Sequence, residues 1–364
     1  MIAGVLYVQK RTHRAGAQTC LARLFRHPGL RPWHPAVVCS EPGWLTEECR
    51  AAGIPVILEP FPSSRSLLAR LRGNGAFARR VRRRLTEAGL TPGLVHANDH
   101  LEGLLGLELA KALGARSAVF LRSPGMTRED YFKYRCSEYD LIAVVGDGLY
   151  AQVRGWDPGR DIKLIHDGIE PGEFASPKPK SREFPRRILI VGSPLDWKGW
   201  ADFTEAIFQL QSAGELPELE FDFTGVRPDP AKNDLRLARL TRVRCNFLGR
   251  VEQFPALVRA YDLVINPTRM ESFGMAAVEV VALGVPLLSS RTGIIEQVIE
   301  QPEFLFPPLQ PAALARAFRN LVQNWDRLTF DTARCQENIR AKFLIDHTVA
   351  KLHAEYERLL RAAA

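Results

Sequence analysis

Cysteine is scarce, six in 364 residues, and no two cysteines stand in a C-x-x-C pair. Cys20, Cys39, Cys49, Cys136, Cys245 and Cys335 are scattered, mostly in or beside apolar segments where a thiol acts as a small hydrophobe. Neither a zinc site nor a structural disulfide is expected. Long hydrophobic runs are also missing: none approaches the roughly 18–20 residues that span a bilayer. The opening MIAGVLYVQKR places its apolar residues before its positive charge, the reverse of a secretory signal, so the expected location is the cytoplasm. No repeat with a period of about 20–50 residues is visible, which argues against a solenoid or propeller.

With 46% hydrophobic and 25% charged residues the chain is globular, and its length favours two domains over one or three. The net charge of +8 is uneven. Residues 1–168 hold 24 Lys+Arg against 16 Asp+Glu, leaving 25 against 25 for residues 169–364, so the first half carries the whole excess. Much of it lies in region 65–84, where Arg65, Arg70, Arg72, Arg79, Arg80, Arg82, Arg83 and Arg84 precede the first acid, Glu87. This stretch reads either as a solvated helix face or as a patch for an anionic membrane surface, at roughly 1 kcal/mol per basic residue near the headgroups. Nucleic acid is not an expected partner, because only Phe77 interrupts the basic run and no nucleic-acid motif surrounds it.

Short apolar or β-branched runs alternate with helix-length amphipathic ones, the rhythm of parallel sheets with helical crossovers. The strand candidates are IAGVLYVQ, PAVVCS, IPVILE, LVHAN, SAVFLR, DLIAVV and IKLIHDG in the first half. RILIVGS, LEFDFTG, RCNFLG, DLVINPT, VPLLSS and EFLFP follow in the second. The fold class is therefore α/β, with two doubly wound Rossmann-like domains. The expected boundaries are 1–170, a Pro-, Ser- and Lys-rich hinge at 171–185, 186–345, and a C-terminal segment 346–364 able to pack back on the first domain. Within that segment Thr348–Leu360 reads as an amphipathic helix whose apolar positions are Val349, Leu352, Tyr356, Leu359 and Leu360.

Doubly wound sheets bind ligands beyond the carboxyl ends of their strands. The stretch PTRMESFGMAAVEVVALGVP fits that position, with a strand before it, a loop carrying Glu271, and a helix carrying Glu279 and closed by Gly284. The amides of Phe273, Gly274 and Met275 would open the helix at the positive end of its dipole, an anion site that two acids flank. Glu279 sits in sequence among Ala276, Ala277, Val278, Val280, Val281 and Ala282, where a carboxylate costs several kcal/mol, about 2–7 by transfer scales, unless something satisfies it.

This stretch resembles the signature segment of glycosyltransferase family 4, retaining enzymes of the GT-B fold that use nucleotide sugars. The likeness extends through RAGAQTCLARL, LVHAND, LIHDGIEPGEF, VGSPLDWKGWADFTEAI and FLGRVEQFPALVRAYDLVINP. It implies two domains facing each other across a cleft, the first binding an acceptor and the second the donor. By the resemblance, Glu279 holds the ribose hydroxyls, Glu271 stands beside the transferred sugar, and Ser272, Phe273, Gly274 and Met275 touch sugar and phosphate. Lys198 takes the diphosphate charge, so that Glu271 and Lys198 are the expected catalytic pair. Gly249, Arg250 and Val251 lie near the base, and Gly16 lets the loop after the first strand approach the phosphates.

The chain departs from the family pattern in three places. Ser193 and Trp197 stand where an arginine usually accompanies the lysine, leaving Arg122, Arg250 or Arg291 to compensate. The double glycine after the first strand is reduced to Gly16, and the histidine usual after the fifth strand is absent, leaving His96 or Arg122 as possible sugar or acceptor contacts. The implied reaction moves a sugar from a UDP or GDP sugar to a glycan or lipid-linked acceptor in envelope polysaccharide, lipopolysaccharide or glycolipid synthesis. No cofactor and no essential metal are expected. Two alternatives remain at this point, a nucleotide-sugar epimerase of the same architecture and a non-catalytic nucleotide-sugar-binding homologue.

Overall fold

A computed structural model describes residues 4–62 and 67–361, with the side chains of 67–72 left aside. It divides the chain into two compact units, residues 1–170 with 343–364, and residues 171–342.

All thirteen strand candidates form strands. In unit 1 these are β1 (Gly4–Val8), β2 (Ala36–Cys39), β3 (Val56–Leu58), β4 (Pro92–Ala97), β5 (Arg116–Leu121), β6 (Leu141–Val144) and β7 (Ile162–Leu164). They make one parallel sheet of order β3-β2-β1-β4-β5-β6-β7. Both of its faces are covered, so strands such as GVLYV are apolar along their length rather than alternating. The crossover helices are α1 (Gly16–Arg26), α2 (Trp44–Ala51), α3 (Leu67–Glu87), α4 (Gly103–Leu113), α5 (Arg128–Lys133) and α6 (Asp147–Trp156). Phe77, Val81 and Leu85 of α3 and Leu109 of α4 pack on Leu6, Val8, Val38 and Val95. Tyr131, Leu149 and Val153 join Val119, Leu121, Ile142 and Val144 in a second core.

Unit 2 repeats the plan with β8 (Arg187–Ile190), β9 (Leu219–Phe223), β10 (Val243–Phe247), β11 (Val264–Asn266), β12 (Leu287–Ser290) and β13 (Leu305–Phe306). The parallel order is β10-β9-β8-β11-β12-β13, that of a dinucleotide-binding doubly wound sheet. Its helices are α7 (Trp200–Ser212), α8 (Phe254–Arg259), α9 (Met275–Ala282), α10 (Pro311–Asn324) and α11 (Thr332–Lys342). In both sheets the strand order reverses beside the first strand, at β1/β4 and at β8/β11, and there the loops on either side diverge and leave room for a ligand.

Residues 171–185 and the C-terminal segment make specific contacts. The amides of Ala175 and Lys178 donate to the carbonyls of Ala282 and Gly284, and Lys178 Nζ reaches Tyr261 O at 2.9 Å and Asp262 at 2.8 Å, so this strand-like run closes the end of α9. The return to unit 1 begins at Phe343 and continues as α12 (Ile345–Arg361). Ile345, Val349, Leu352, Tyr356 and Leu359 form its buried stripe, with Leu360 only half-buried. Tyr356 Oη lies 3.1 Å from Tyr7 Oη and 2.5 Å from His96 Nδ1, and Trp33 Nε1 donates to His353 Nδ1.

His96 is stacked on Tyr7 and enclosed, and burial first, then Arg122, lowers its pKa to about 3. An imidazole that stays neutral in the fold but takes a proton near 6.5 when unfolded favours the unfolded state in acid. The contribution of His96 to the stability of unit 1 should therefore be complete above pH 6.5 and be lost as pH falls towards 3. Tyr356→Phe removes the bonds to both partners and should cost about 1–3 kcal/mol. Urea unfolding of wild type and Tyr356→Phe at pH 7 checks the second expectation, and unfolding of Glu102→Gln at pH 7 and pH 5 checks the first.

Candidate functional site in unit 2

The site is set by two loops at the β8/β11 reversal. After β8, Gly192 leads to a 3-10 turn at Asp196–Lys198, and after β11, Pro267 leads through Arg269 to Gly274. They touch at Gly199, whose φ of +70° is left-handed; a β-carbon there would stand 1.8 Å from the carbonyl oxygen of Pro267. Only glycine tolerates both the conformation and the approach. Thr268 Oγ1 and Arg269 N–H both donate to Trp197 O, at 3.1 and 2.8 Å. Arg269 then clasps Asp202 through Nε and Nη2, at 2.7 and 2.6 Å, and Asp196 through Nη1 at 2.6 Å. The hydrogen bonds from Asp202, opposed by burial, hold the Arg269 guanidinium above its ordinary pKa.

This bracing brings Lys198 and Glu271 together. Lys198 Nζ lies 2.5 Å from Glu271 Oε1, both side chains about a fifth exposed. Thr268 Oγ1 also reaches the same carboxylate oxygen at 3.4 Å. Gly274, with φ +92°, caps α9, and its carbonyl accepts from Ala277 and Val278. The conformation, rather than crowding, calls for glycine here, since a β-carbon would meet nothing nearer than 3.9 Å. At Gly293, with φ +61°, crowding adds to conformation, because a β-carbon would stand 2.2 Å from Phe273 O, the carbonyl that accepts from Ile294 N–H.

Glu279 corrects an expectation. It is half-buried, and so are Met275 and Ala276, whereas Ala277, Val278, Val280, Val281 and Ala282 are buried. Positions 275, 276 and 279 share one helix face, so the carboxylate stands on the exposed stripe of α9 and its apolar sequence neighbours point into the core. Ser272 and Phe273 are buried, and Ser272 Oγ has no hydrogen-bond partner among the described residues. Gly249, Arg250 and Val251 follow β10, the edge strand, with Arg250 exposed.

The remaining expected residues belong to unit 1. Gly16 opens α1 and is exposed, with empty space where a β-carbon would lie. His96 is a core residue bonded to Tyr356, so the expectation of a sugar contact is not met by its position. Arg122 is likewise buried; Asp167 holds its Nη1 at 2.5 and 2.6 Å and Asn98 Oδ1 accepts from its Nε, so its charge is already balanced. Arg291 pairs with Glu296.

Sequence reasoning missed Arg269, Asp196 and Asp202, which touch no expected ligand atom but fix the turn bearing Lys198. It also missed where apolar surface lies. All seven large apolar side chains that are exposed among the described residues, Leu101, Phe132, Leu195, Trp197, Val226, Met270 and Leu309, fall in segments that follow the carboxyl end of a parallel strand. That edge is where ligands meet such sheets.

Residues 185–324 match the family described as Glycosyl transferases group 1. The chain is similar to a 2-deoxystreptamine glucosyltransferase of Streptomyces kanamyceticus, 25% identical over 219 residues covering 55% of each protein. It is also similar to a D-inositol 3-phosphate glycosyltransferase of Corynebacterium jeikeium, 25% identical over 311 residues, covering 75% of this chain and 74% of that one. The chain spans about half the length of the first curated relatives it matches. Among solved structures, Anabaena HepE in complex with UDP and glucose has the same fold, with TM-score 0.77 and 16% identity over 98% of this chain and 99% of that one.

The glycine contact gives a paired test. Gly199 and Gly214 have φ of +70° and +72°, but only Gly199 faces backbone. Gly214→Ala should cost about 1–2 kcal/mol from conformation alone. Gly199→Ala adds a clash with Pro267 O and should cost more; denaturant unfolding of the two variants reads the difference.

Proposed function

We propose, from the group 1 glycosyltransferase domain of its second unit, that the chain is a retaining glycosyltransferase of family 4 using a nucleoside diphosphate sugar, UDP or GDP sugars first. The observation that carries this reading is the Lys198–Glu271 pair, 2.5 Å apart beside the start of α9. A diphosphate on the α9 amides would draw Lys198 from Glu271 and use its charge. The freed carboxylate would then accept from the hexose, and Glu279 from the ribose. As the glycosidic bond breaks, charge collects on the leaving diphosphate, and the lysine drawn to it together with the helix start stabilises that charge.

Retention follows in this proposal from front-face attack. The acceptor hydroxyl approaches on the side of the departing phosphate, whose oxygen takes its proton. Glu271, accepting from the hexose hydroxyls, is not assigned the part of a nucleophile. Because a lysine and helix amides take the diphosphate charge, no divalent metal is required. Unit 1 supplies the acceptor, a glycan or lipid-linked molecule of the cell envelope, as the arginine excess suggests.

The membrane patch is narrower than the sequence implies. Arg80 and Arg84 are both held by Glu59, and Arg83 pairs with Glu87. Arg79 and Arg82 are exposed on the same helix. Arg65 and the side chains of Arg70 and Arg72 lie outside the described residues. No helix among the described residues is long and apolar enough to cross a membrane.

Thermal-shift titration with nucleoside diphosphates should stabilise the protein by about 2.7 kcal/mol at a hundred times Kd. Lys198→Ala should weaken UDP or GDP binding at least about tenfold, the equivalent of 1.4 kcal/mol. Glu271→Gln should keep nucleotide affinity within about threefold and lose transfer. Turnover abolished by a chelator and restored by magnesium would contradict the metal-free proposal, as would a covalent sugar trapped on Glu271.

A further inference from the structure

Unit 1 contains a cavity of about 540 Å³ at its own strand-order reversal, bordered by the loops after β1 and β4. Its size suits a small-molecule ligand. The polar part is built. Asn98 Nδ2 donates to Gln9 Oε1 at 2.5 Å and Asn98 Oδ1 accepts from Arg122 Nε, which fixes Gln9 at the cavity wall. Asp99 is saturated, with His100 N–H, His100 Nδ1 and Arg122 N–H on Oδ1 and Ser123 Oγ on Oδ2. Glu102 is different. It is 4% exposed, borders the cavity, and accepts on Oε1 from Lys10 N–H at 3.1 Å, with no cation in an ion pair with it among the described residues. Phe61, Pro62, Leu101, Leu104 and Leu105 form the apolar part of the wall, beside the polar Gln18, Asn74, Ser123 and Tyr134, and Leu101 is 47% exposed.

We propose that this cavity binds an amphiphilic glycoside, with Glu102 and Gln9 holding the hydroxyls of its sugar and Phe61, Pro62, Leu101 and Leu105 holding an apolar substituent. This rests on the reading of unit 1 as the acceptor-binding unit and adds the class of acceptor. A buried carboxyl accepts from hydroxyls, and the Gln9 amide, whose Oε1 is taken by Asn98 Nδ2, offers its Nε2 to them as a donor. A phosphate head group would meet Glu102 and Asp99 at the same floor, with Lys10, Arg11 and His13 only at the exposed margin. The apolar wall has no use for a free sugar, and a sugar alone leaves it wet.

Glu102 also provides a folding control. Burial first, then the charge of Asp99, raises its pKa to about 7 from an ordinary 4.5. Its contribution to stability is therefore present below pH 4.5 and lost as pH rises through 7. Glu102→Gln keeps the shape without the buried charge, and should raise the unfolding temperature at pH 8 and leave it nearly unchanged at pH 5.

Calorimetric titration of the full chain saturated with UDP, at pH 7.5, compares n-octyl β-D-glucoside below its micelle concentration with methyl β-D-glucoside. Octyl should bind at least about tenfold tighter, which two buried methylenes suffice to give. Leu101→Ser should remove at least half of that preference, and Glu102→Gln should weaken both glucosides at least about threefold, with UDP affinity unchanged in each variant. Equal binding of the two glucosides, binding of neither, or an octyl preference untouched by Leu101→Ser would overturn the proposal. Failure of UDP to bind would instead count against the donor reading, and the glucoside titrations repeated without UDP would still decide the cavity's ligand.

Discussion

The packing of Gly199 against the carbonyl of Pro267 is the constraint on which the unit 2 site depends. It sets how closely the loop after β8 approaches the loop after β11, and a left-handed glycine is the residue that permits that approach. Once the two backbones touch, Trp197 O lies within reach of Thr268 Oγ1 and Arg269 N–H, and Arg269 reaches both Asp196 and Asp202. Trp200, one residue beyond the glycine, is fully buried with its ring 4.9 Å from that of Phe223. Lys198 is thereby left no direction but across the gap to Glu271. The catalytic-looking pair is a consequence of a backbone contact that neither residue makes.

The two units place their chemistry at the same topological point and differ in how they treat charge. Unit 2 offers a lysine and an acid, each about a fifth exposed, at a helix start. Unit 1 buries its ionisable groups and settles them internally, Arg122 on Asp167 and Asp99 on His100 and Ser123, leaving Glu102 as the raised carboxyl. His96 and Glu102 then act in opposite senses. Protonation of His96 on unfolding lowers stability as pH falls from 6.5, while ionisation of Glu102 lowers it as pH rises from 4.5 to about 7. Between pH 4.5 and 6.5 the two slopes offset one another, so that the acid sensitivity of unit 1 is partly hidden until Glu102 is replaced.

All thirteen strands were legible because strands of a sheet covered on both faces are short, continuous apolar runs, which only a few other structures imitate. An amphipathic pattern likewise announced α12, but a stripe such as Val349, Leu352, Tyr356 and Leu359 says how a helix is buried and not against what; the bonds to Tyr7 and His96 come from more than two hundred residues away. Composition at 171–185 said nothing of where the backbone goes, which is to the carbonyls at the end of α9. In the site, Lys198, Glu271 and Glu279 were visible through their surrounding motif. The brace of Arg269 was not, because it joins acids 73 and 67 positions earlier in the chain, and no local spacing encodes such a pairing. Glu279 was misjudged for a related reason: neighbours in sequence were taken for neighbours in space, whereas a helix turns successive side chains to different faces.

The missing arginine is best understood through what the other cations are doing. Arg269 follows β11 and is spent on Asp196 and Asp202; Arg291 follows β12 and is paired with Glu296; Arg122 belongs to the buried cluster of unit 1. Removing Asp167 would leave the buried Arg122 unpaired, so that pair is not cheaply released, and Arg269 is held by two carboxylates at once, whereas Arg291 and Glu296 form an exposed pair that holds weakly. Arg250, exposed after the edge strand, forms no ion pair among the described residues but stands two strands from β8, at about 5 Å per strand. Lys198 is the cation whose partner, Glu271, has an alternative use in the proposed reaction. In the proposed reaction a site so arranged would neutralise the diphosphate with one lysine, the helix start and whatever the ligand's own approach displaces. Its affinity for the diphosphate should accordingly depend on the exchange of one ion pair for another rather than on a standing excess of positive charge.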